Sequence, residues 1–335
     1  MEPYAAVAES YADFASYARA DSATMADWAE GVAADPEVSA WVAALPGIKQ
    51  QPNLVLAAAR WHGVPAPGPY AGLREALLGD DGSIMATILE RATQTNEVGR
   101  LATLLPALAR VAEESERPLA LLEVGASAGL CLYPDRWGYD YALPDGQRVL
   151  LGEEPRLPCA VKGDEAPPLP SRLPEVAWRG GVDLHPLDVT DTDAMAWLET
   201  LVWPEHDERR TRLREAIAIA RSDPPDLRTG DLVETLPALV EEASEHGTPV
   251  VLHSAVIAYL SPADRDRYDA LVRGLVAQGS CRWITNEGKN VLPSVTRSGP
   301  PIPEGHSTFV LGLDGRMLAQ THGHGRTLRW TEALR

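Results

Sequence analysis

Cysteine is scarce in this 335-residue chain, and the three that occur, Cys131, Cys159 and Cys281, are far apart in the sequence. None of them forms the C-x-x-C pair of a zinc ribbon or an iron–sulfur site. The sequence therefore argues against a disulfide framework and against a metal–cysteine cluster. Cysteine used in this way is typical of a protein that works in a reducing cytoplasm.

Basic residues are also few, since 30 lysines and arginines face 48 acidic residues and the formal net charge is −18. The acidic residues are spread along the whole chain rather than gathered in a tail. A negative surface of this kind repels phosphate backbones, and the sequence contains no cluster of basic residues that would make a local groove. We therefore expect no nucleic-acid partner.

Long apolar runs are absent, because no uninterrupted stretch approaches the ~18 residues of a membrane-spanning helix. The first ten residues carry acidic side chains where a secretory signal would be basic. We expect a cytoplasmic protein with no membrane partner.

The first third of the chain has the periodicity of helices. Apolar residues recur at spacings of three and four over residues 4–14 and 54–61, and a longer helical pattern covers residues 93–116. No strand pattern precedes residue 118. We predict that residues 1–117 form an all-helical N-terminal cap domain.

The pattern changes at residue 118, where short apolar runs begin to alternate with helical segments. The predicted strands are residues 119–124, 176–178 with 182–184, 249–253 and 282–285, and the predicted helices are 193–203, 205–221, 231–245 and 262–278. Strands that alternate with helices predict a mostly parallel sheet covered on both faces. The fold class is therefore α/β, with residues 118–335 as the core domain.

Two segments of this core break the alternation. Residues 133–175 are rich in proline, glycine and acids with little periodicity, which predicts an irregular insertion. Two apolar runs around Asp314 and Gly315 predict a C-terminal antiparallel hairpin.

The most informative motif is LLEVGASAGL at residues 121–130, where a buried strand ends in small residues. We expect a helix to start there, so that the turn lets a ligand approach the backbone closely. A dinucleotide fingerprint would need glycine where Ser127 and Leu130 stand, which disfavours NAD and FAD. Gly125-Ala-Ser127-Ala-Gly129 also matches the G-x-S-x-G nucleophile elbow of serine hydrolases, and this alternative stays open. It would need a downstream acid and histidine, and only the histidines are evident.

The same motif resembles the first motif of class I S-adenosylmethionine-dependent methyltransferases, E-x-G-x-(G/S)-x-G. That resemblance implies that the small residues Gly125, Ala126, Ser127 and Gly129 receive the methionine moiety of the cofactor. Glu123 stands where the family has an acid that orders the turn or binds the amino group.

The resemblance also implies roles at the ends of the other strands. Asp183 would hold the ribose hydroxyls, with Asp140 as the alternative if the second strand is misplaced. Asp231 would lie near adenine. His253 and Ser254 would face the methyl donor and acceptor, and His253 or Glu287 would take the proton of the acceptor.

Four further residues are candidates for contact with the substrate. Asn96 and Glu97 are expected on a helix that reaches into the site, Tyr139 lies in the insertion, and His324 is two residues from His322. Two imidazoles without a third ligand rarely bind a metal, so no metal site is expected.

Segments along nearly the whole chain resemble an uncharacterised, mainly actinobacterial family, domain of unknown function 2332, whose core looks like a class I methyltransferase. The segments are QTNEVGR at 94–100, LLEVGASAGL at 121–130, WRGGVDLHPLDVT at 178–190, VWPEHDERR at 202–210, HSAVIAYL at 253–260 and WITNE at 283–287. The resemblance implies a Rossmann-like methyltransferase core with S-adenosylmethionine as cofactor and a small-molecule O or N nucleophile as acceptor. A serine hydrolase using Ser127 and a non-catalytic cofactor-binding protein are the alternatives.

Overall fold

The computed structural model describes residues 5–332 and separates into two compact units. Within the described residues, the first unit runs to Thr95 and includes Asp191–Arg214, and the second holds Asn96–Thr190 and everything from Glu215 onward. The extent of the units differs from the domains expected from the sequence. Residues 96–117 belong to the second unit, and residues 191–214 belong to the first.

Twelve α-helices lie within residues 5–332. They are α1 (Ala5–Ala18), α2 (Ala23–Ala34), α3 (Pro36–Ala43), α4 (Pro52–Trp61), α5 (Tyr70–Leu78), α6 (Ser83–Glu90), α7 (Leu101–Glu113), α8 (Thr192–Leu201), α9 (Asp207–Ser222), α10 (Leu232–His246), α11 (Pro262–Ala277) and α12 (Pro293–Thr296). None of these helices is long and apolar enough to cross a membrane.

The first unit consists of α1–α6, α8 and the first half of α9. Arg60 explains why α8 belongs to this unit although it is distant in sequence. The Arg60 guanidinium donates to the carbonyl oxygens of Thr200 and Val202, at 2.7 and 2.9 Å, and so binds the C-terminal end of α8 to α4. Burial lowers the pKa of Arg60 to about 10.

The second unit is built on one sheet of eleven strands. They are β1 (Leu119–Val124), β2 (Gly138–Ala142), β3 (Arg148–Leu151), β4 (Arg156–Val161), β5 (Val176–Asp183), β6 (Asp226–Thr229), β7 (Thr248–Ser254), β8 (Arg282–Gly288), β9 (Phe309–Leu313), β10 (Arg316–Thr321) and β11 (Thr327–Trp330). Their order in the sheet is β3-β2-β4-β11-β10-β9-β8-β7-β1-β5-β6.

The sheet is mixed and mostly parallel. Strands β6, β5, β1, β7 and β8 are parallel neighbours, and β9 and β10 follow as an antiparallel hairpin beside β8. The expectation of an α/β fold with a mostly parallel sheet is confirmed. The C-terminal hairpin expected around Asp314 is present as β9 and β10.

The segment 133–175 is not irregular as expected, because it contains β2, β3 and β4. These strands extend the sheet beyond the hairpin, with β4 parallel to β11. Each strand has only four to six residues. The turn glycines Gly146 and Gly152 and the cis peptide bond Glu154-Pro155 lie between the strands. Runs this short show too few alternations for a sequence pattern to be read.

The two faces of the sheet can be followed from the alternation of side chains along β1. Leu122 and Val124 pack with residues of α10 and α11 in one apolar core. Leu121 and Glu123 therefore point to the opposite face. We call these the α10 face and the Glu123 face.

Two helices expected near the site are shorter than the sequence pattern indicated. The helix predicted over residues 93–116 begins only at Leu101, after a single 3₁₀ turn at Val98–Arg100. The helix expected after the glycine motif is a 3₁₀ turn, Leu130–Leu132. The chain then continues into β2 instead of an α-helix. The turn at residues 125–129, which we call the glycine turn, therefore lacks the N-terminal dipole that an α-helix would give it.

Candidate functional site

The candidate site lies at the carboxyl ends of the parallel strands, where β1 stands between β5 and β7. After β1 the chain passes through β2, β3 and β4 before it enters β5 on one side of β1, and it later returns to β7 on the other side. In open α/β sheets the crevice at such a reversal is where ligands bind. The residues that follow β1 and β7 therefore form the candidate site.

The turn after β1 has a tightly constrained backbone. Gly125, Ser127 and Gly129 all have positive φ, at 68°, 52° and 68°. A side chain at Gly125 would meet Val256, since a Cβ there would lie 2.0 Å from Val256 Cγ2. Glycine is therefore required at 125 by both backbone conformation and space.

Every backbone N–H from Gly125 to Gly129 is already hydrogen-bonded within the protein. The donor–acceptor pairs are Gly125 and Ala126 to Val182 O (2.8 and 3.2 Å), Ser127 to Asp183 Oδ2 (2.9 Å), Ala128 to Asn96 Oδ1 (2.9 Å) and Gly129 to Ala126 O (2.7 Å). A turn that binds phosphate or an oxyanion needs free N–H groups. This turn has none to offer in its present geometry.

The Asn96 side chain makes two hydrogen bonds to the backbone of this turn. Its amide oxygen accepts from Ala128 N–H, and its amide nitrogen donates to Ala126 O at 3.1 Å. Asn96 and Glu97 were expected on a helix, but they precede the 3₁₀ turn, and the Glu97 carboxylate caps that turn by accepting from Gly99 N–H. Both residues lie next to the glycine turn, with Asn96 bonded to its backbone.

Glu123 is buried on the Glu123 face with 5% of its surface exposed. Burial and the neighbouring Asp183 raise the pKa of Glu123 to about 8, while Arg100 acts in the opposite direction. Two buried side-chain atoms at this turn, Glu123 Oε2 and Ser127 Oγ, have no hydrogen-bond partner among the described residues. Buried polar atoms without partners are uncommon and call for an explanation.

Asp183 and Asp231 both bind backbone N–H groups. Asp183 Oδ2 accepts from Ser127, and Oδ1 accepts from His185 at 2.9 Å. Asp231 caps α10 by accepting from Val233 and Glu234. Asp183 therefore lies against the glycine turn, while Asp231 lies one strand further out, and their predicted roles in cofactor binding stay predictions.

His253 and Glu287 form a pair in the core of the α10 face, with 0% and 2% of their surfaces exposed. His253 Nδ1 lies 2.8 Å from Glu287 Oε1, and His253 Nε2 accepts from the Trp283 indole N–H at 3.0 Å. An indole N–H only donates, so the proton of the neutral ring lies on Nδ1 and points to Glu287. Protonation of Nε2 would require breaking the bond with Trp283.

Glu287 Oε1 also accepts from the backbone N–H groups of Val256 and Ile257, at 3.0 and 3.1 Å. These bonds hold the turn after β7, in which Ala255 has a φ of 60°. Glu287 Oε2 has no partner among the described residues. The predicted role of the pair in proton transfer stays a prediction.

Ser254 points to the Glu123 face, away from His253. Asn286 is fully buried, and its amide group connects the Ser254 and Thr321 hydroxyls, with distances of 3.0 and 2.6 Å. Arg100 donates to Ser254 O at 3.0 Å and to Gly323 O at 2.7 Å. This network joins the carboxyl ends of β7, β8 and β10.

The remaining candidates lie in different surroundings. Tyr139 is buried in the sheet, and its hydroxyl donates to Pro134 O at 2.7 Å. Asp140 pairs with Arg148 within the strands that follow β1. The rings of His322 and His324 are 5.4 Å apart, next to the Gly323 carbonyl that Arg100 binds. Within residues 5–332, no group of three or more His, Cys, Asp or Glu side chains is arranged to hold a metal ion.

Comparison with protein families assigns nearly the whole chain to one family. A family model described as an uncharacterized protein conserved in bacteria (DUF2332) matches residues 8–330. The chain belongs to this family. No curated protein and no solved structure matches this chain.

Three residues of the DUF2332 site were not identified as candidates from the sequence. Arg100 and Asn286 lie in the segments QTNEVGR and WITNE, where the predicted site residues were Asn96, Glu97 and Glu287. Val256 is an ordinary apolar residue, and only the structure shows that it packs on Gly125. A polar residue next to a strand end was a usable signal for Asn286, whereas Val256 gave none.

Proposed function

We propose that this DUF2332 protein binds S-adenosylmethionine at the glycine turn and transfers its methyl group to a small-molecule O or N nucleophile. One observation carries the proposal. The turn offers no free N–H from Gly125 to Gly129, yet two buried side-chain atoms at the turn, Glu123 Oε2 and Ser127 Oγ, have no hydrogen-bond partner in the part of the chain that the structure describes. These atoms fit a cationic or hydrogen-bonding ligand rather than a phosphate.

The charge of the ligand separates the candidate cofactors. NAD and FAD place a pyrophosphate on free N–H groups at this position of the fold. The methionine moiety of S-adenosylmethionine instead carries an ammonium and a carboxylate group at one end and a sulfonium at the other. A carboxylate such as Glu123 suits a cation, and desolvation strengthens that pairing.

The strand order supports the same proposal. Numbered along the chain, the parallel strands β1, β5, β6, β7 and β8 follow the order 3-2-1-4-5 of a doubly wound nucleotide-binding sheet. Two features depart from that pattern. No α-helix follows the glycine turn, and β2–β4 occupy the connection from β1 to β5.

When bound, S-adenosylmethionine supplies a reactive methyl group on a positively charged sulfur. Glu123 would pair with the ammonium group, and Asp183, Asp231 and Ser254 would accept hydrogen bonds from hydroxyl and amino groups at the neighbouring strand ends. The protein would hold the acceptor in line with the methyl group and exclude water. Methyl transfer to an O–H or N–H acceptor releases one proton and leaves a neutral thioether.

The pairing with Glu123 gives the proposal a pH signature. The pKa of Glu123 is about 8 because the carboxyl is buried, so below that pH the group holds a proton. An ammonium group beside it favours the ionised form, and binding then releases the proton. The affinity for S-adenosylhomocysteine, which keeps this ammonium group, should therefore increase as the pH rises toward about 8.

Titration calorimetry with S-adenosylhomocysteine tests the proposal. We expect binding by the wild type that strengthens with pH, and binding by Glu123→Gln that is weaker and insensitive to pH in the same range. NAD serves as the matched control and should not bind. If the folded wild type binds no S-adenosylhomocysteine, the proposal is wrong. Binding without methylation of any acceptor would favour the non-catalytic alternative.

The serine hydrolase alternative has one observation in its favour, the positive φ of Ser127 in a sharp turn after a strand. Two others oppose it. The N–H of Ala128, which would form the oxyanion hole, is bonded to Asn96, and Ser127 Oγ has no histidine partner among the described residues. Labelling by a fluorophosphonate that disappears in Ser127→Ala would establish the hydrolase and refute our proposal.

A further inference from the structure

The two turns that face each other at the candidate site share an unusual construction. Each contains a non-glycine residue in the left-handed region, Ser127 after β1 and Ala255 after β7. Each is held by a carboxylate from the next strand outward, Asp183 from β5 and Glu287 from β8. Backbone strain of this kind persists only where the surroundings hold it in place.

Glu287 is the acceptor for the turn after β7. Ala255 has a φ of 60°, and Val256 follows at φ −122° and ψ −38°. Such an alternation makes successive N–H groups converge, which normally creates a site for an anion. Here the N–H groups of Val256 and Ile257 converge on Glu287 Oε1.

The Glu287 carboxylate is itself fixed by a chain of buried groups. His253 Nδ1–H donates to the same oxygen, and the Trp283 indole donates to the other ring nitrogen of His253. All three side chains have at most 2% of their surfaces exposed. The carboxylate therefore cannot rotate away without breaking several buried hydrogen bonds.

The turn held by Glu287 packs directly on the glycine turn. A Cβ at Gly125 would lie 2.0 Å from Val256 Cγ2, so the Val256 side chain fills the space above Gly125. The position of Val256 thus sets the shape of the backbone that is proposed to receive the methionine moiety.

We infer that Glu287 is a positioning residue. It holds the strained turn of Ala255, Val256 and Ile257 so that Val256 closes against Gly125 and fixes the ligand-binding turn. Glu287 acts from the α10 face and does not touch the ligand. This inference rests on the proposed function where it concerns ligand affinity, but the conformation of the turn is testable without any ligand.

The test is Glu287→Gln, examined by amide hydrogen exchange and by calorimetry with S-adenosylhomocysteine. Glutamine can place its carbonyl oxygen where Oε1 accepts, with its NH₂ group in the place of Oε2, but a neutral oxygen accepts the three N–H bonds more weakly than a carboxylate does. We expect exchange at Val256 and Ile257 to accelerate at least about tenfold, and the affinity to fall roughly tenfold, which corresponds to about 1.4 kcal/mol.

A second substitution separates positioning from general damage. Glycine adopts the left-handed region without strain, so Ala255→Gly removes the need for Glu287 to hold it. The double variant Glu287→Gln with Ala255→Gly should recover most of the lost affinity and slow exchange again. Val272→Ala is the matched control, because it removes core packing on the α10 face without a bond to the turn. It should lower stability and leave the affinity unchanged.

The outcomes distinguish the two proposals. If the wild type binds no S-adenosylhomocysteine, the proposed function fails, and the exchange data still decide the role of Glu287. Unchanged exchange at Val256 and Ile257 in Glu287→Gln overturns the inference. The inference is also overturned if two results occur together: Ala255→Gly does not restore the affinity lost in Glu287→Gln, and Val272→Ala lowers the affinity to the same extent.

Discussion

The buried carboxyl of Glu123 makes the stability of this protein depend on pH in a specific way. The pKa of Glu123 is raised from 4.5 to about 8, chiefly because the carboxyl is buried. Between these two values the folded state holds a proton that the unfolded chain releases. The free energy of unfolding should therefore decrease as the pH rises through this window.

The expected size follows from the shift. Each pH unit within the window changes the free energy of unfolding by about 1.4 kcal/mol. Between about pH 6 and about pH 7.5 the contribution of Glu123 amounts to about 2 kcal/mol. Glu123→Gln keeps the shape of the side chain and removes its titration. The stability of the wild type relative to this variant should fall by that amount over the same interval.

Urea denaturation of both proteins at the two pH values measures this difference. Comparing the two cancels the contribution of every group that titrates alike in both. Glu116→Gln is a suitable control, since Glu116 is an exposed carboxyl that water already solvates. A difference between wild type and Glu123→Gln that does not change with pH would refute the argument that burial controls this carboxyl.

Three further substitutions probe the same region. Asn96→Ala removes two hydrogen bonds to the glycine turn and should cost about 1–3 kcal/mol in chemical denaturation; a neutral result would show that the turn holds itself. Gly125→Ala introduces a Cβ against Val256 at a φ of 68° and should cost at least about 1–3 kcal/mol. Unaltered stability would contradict that contact. Trp283→Phe keeps an aromatic ring but loses the donor to His253, and should lower the unfolding midpoint by a few degrees; an unchanged midpoint would count against this hydrogen bond.

Part of the fold could be predicted because the hydrophobic pattern of some segments matches their burial in the folded chain. Apart from Glu123, the strand β1 is apolar because both of its faces are covered, and α8 to α11 lie within a few residues of their predicted ranges. The strands β2, β3 and β4 could not be predicted. They are short, and their place in the sheet depends on pairing with one another and with the distant β11.

The candidate site, like the fold, could be predicted from the sequence only in part. His253 and Ser254 were both expected to face the methyl donor and acceptor, but as adjacent residues of β7 they point to opposite sides of the sheet. The sequence also drew attention to the polar residues that follow the strands, Asp183 and Glu287 among them. It contained no sign that their carboxylates would bind the backbone of neighbouring turns, because those bonds join segments tens of residues apart.

The sequence by itself determined the α/β class, the helices of the first third and the position of the small-residue turn, since each depends on residues close together in the chain. Only the tertiary structure decided which groups around that turn are free to meet a ligand. It gives the turn's N–H groups to Val182, Asp183, Asn96 and Ala126, and it leaves Glu123 Oε2 buried with no hydrogen-bond partner within residues 5–332. Burial and hydrogen-bond saturation depend on the whole chain at once, and for that reason no local pattern encodes them.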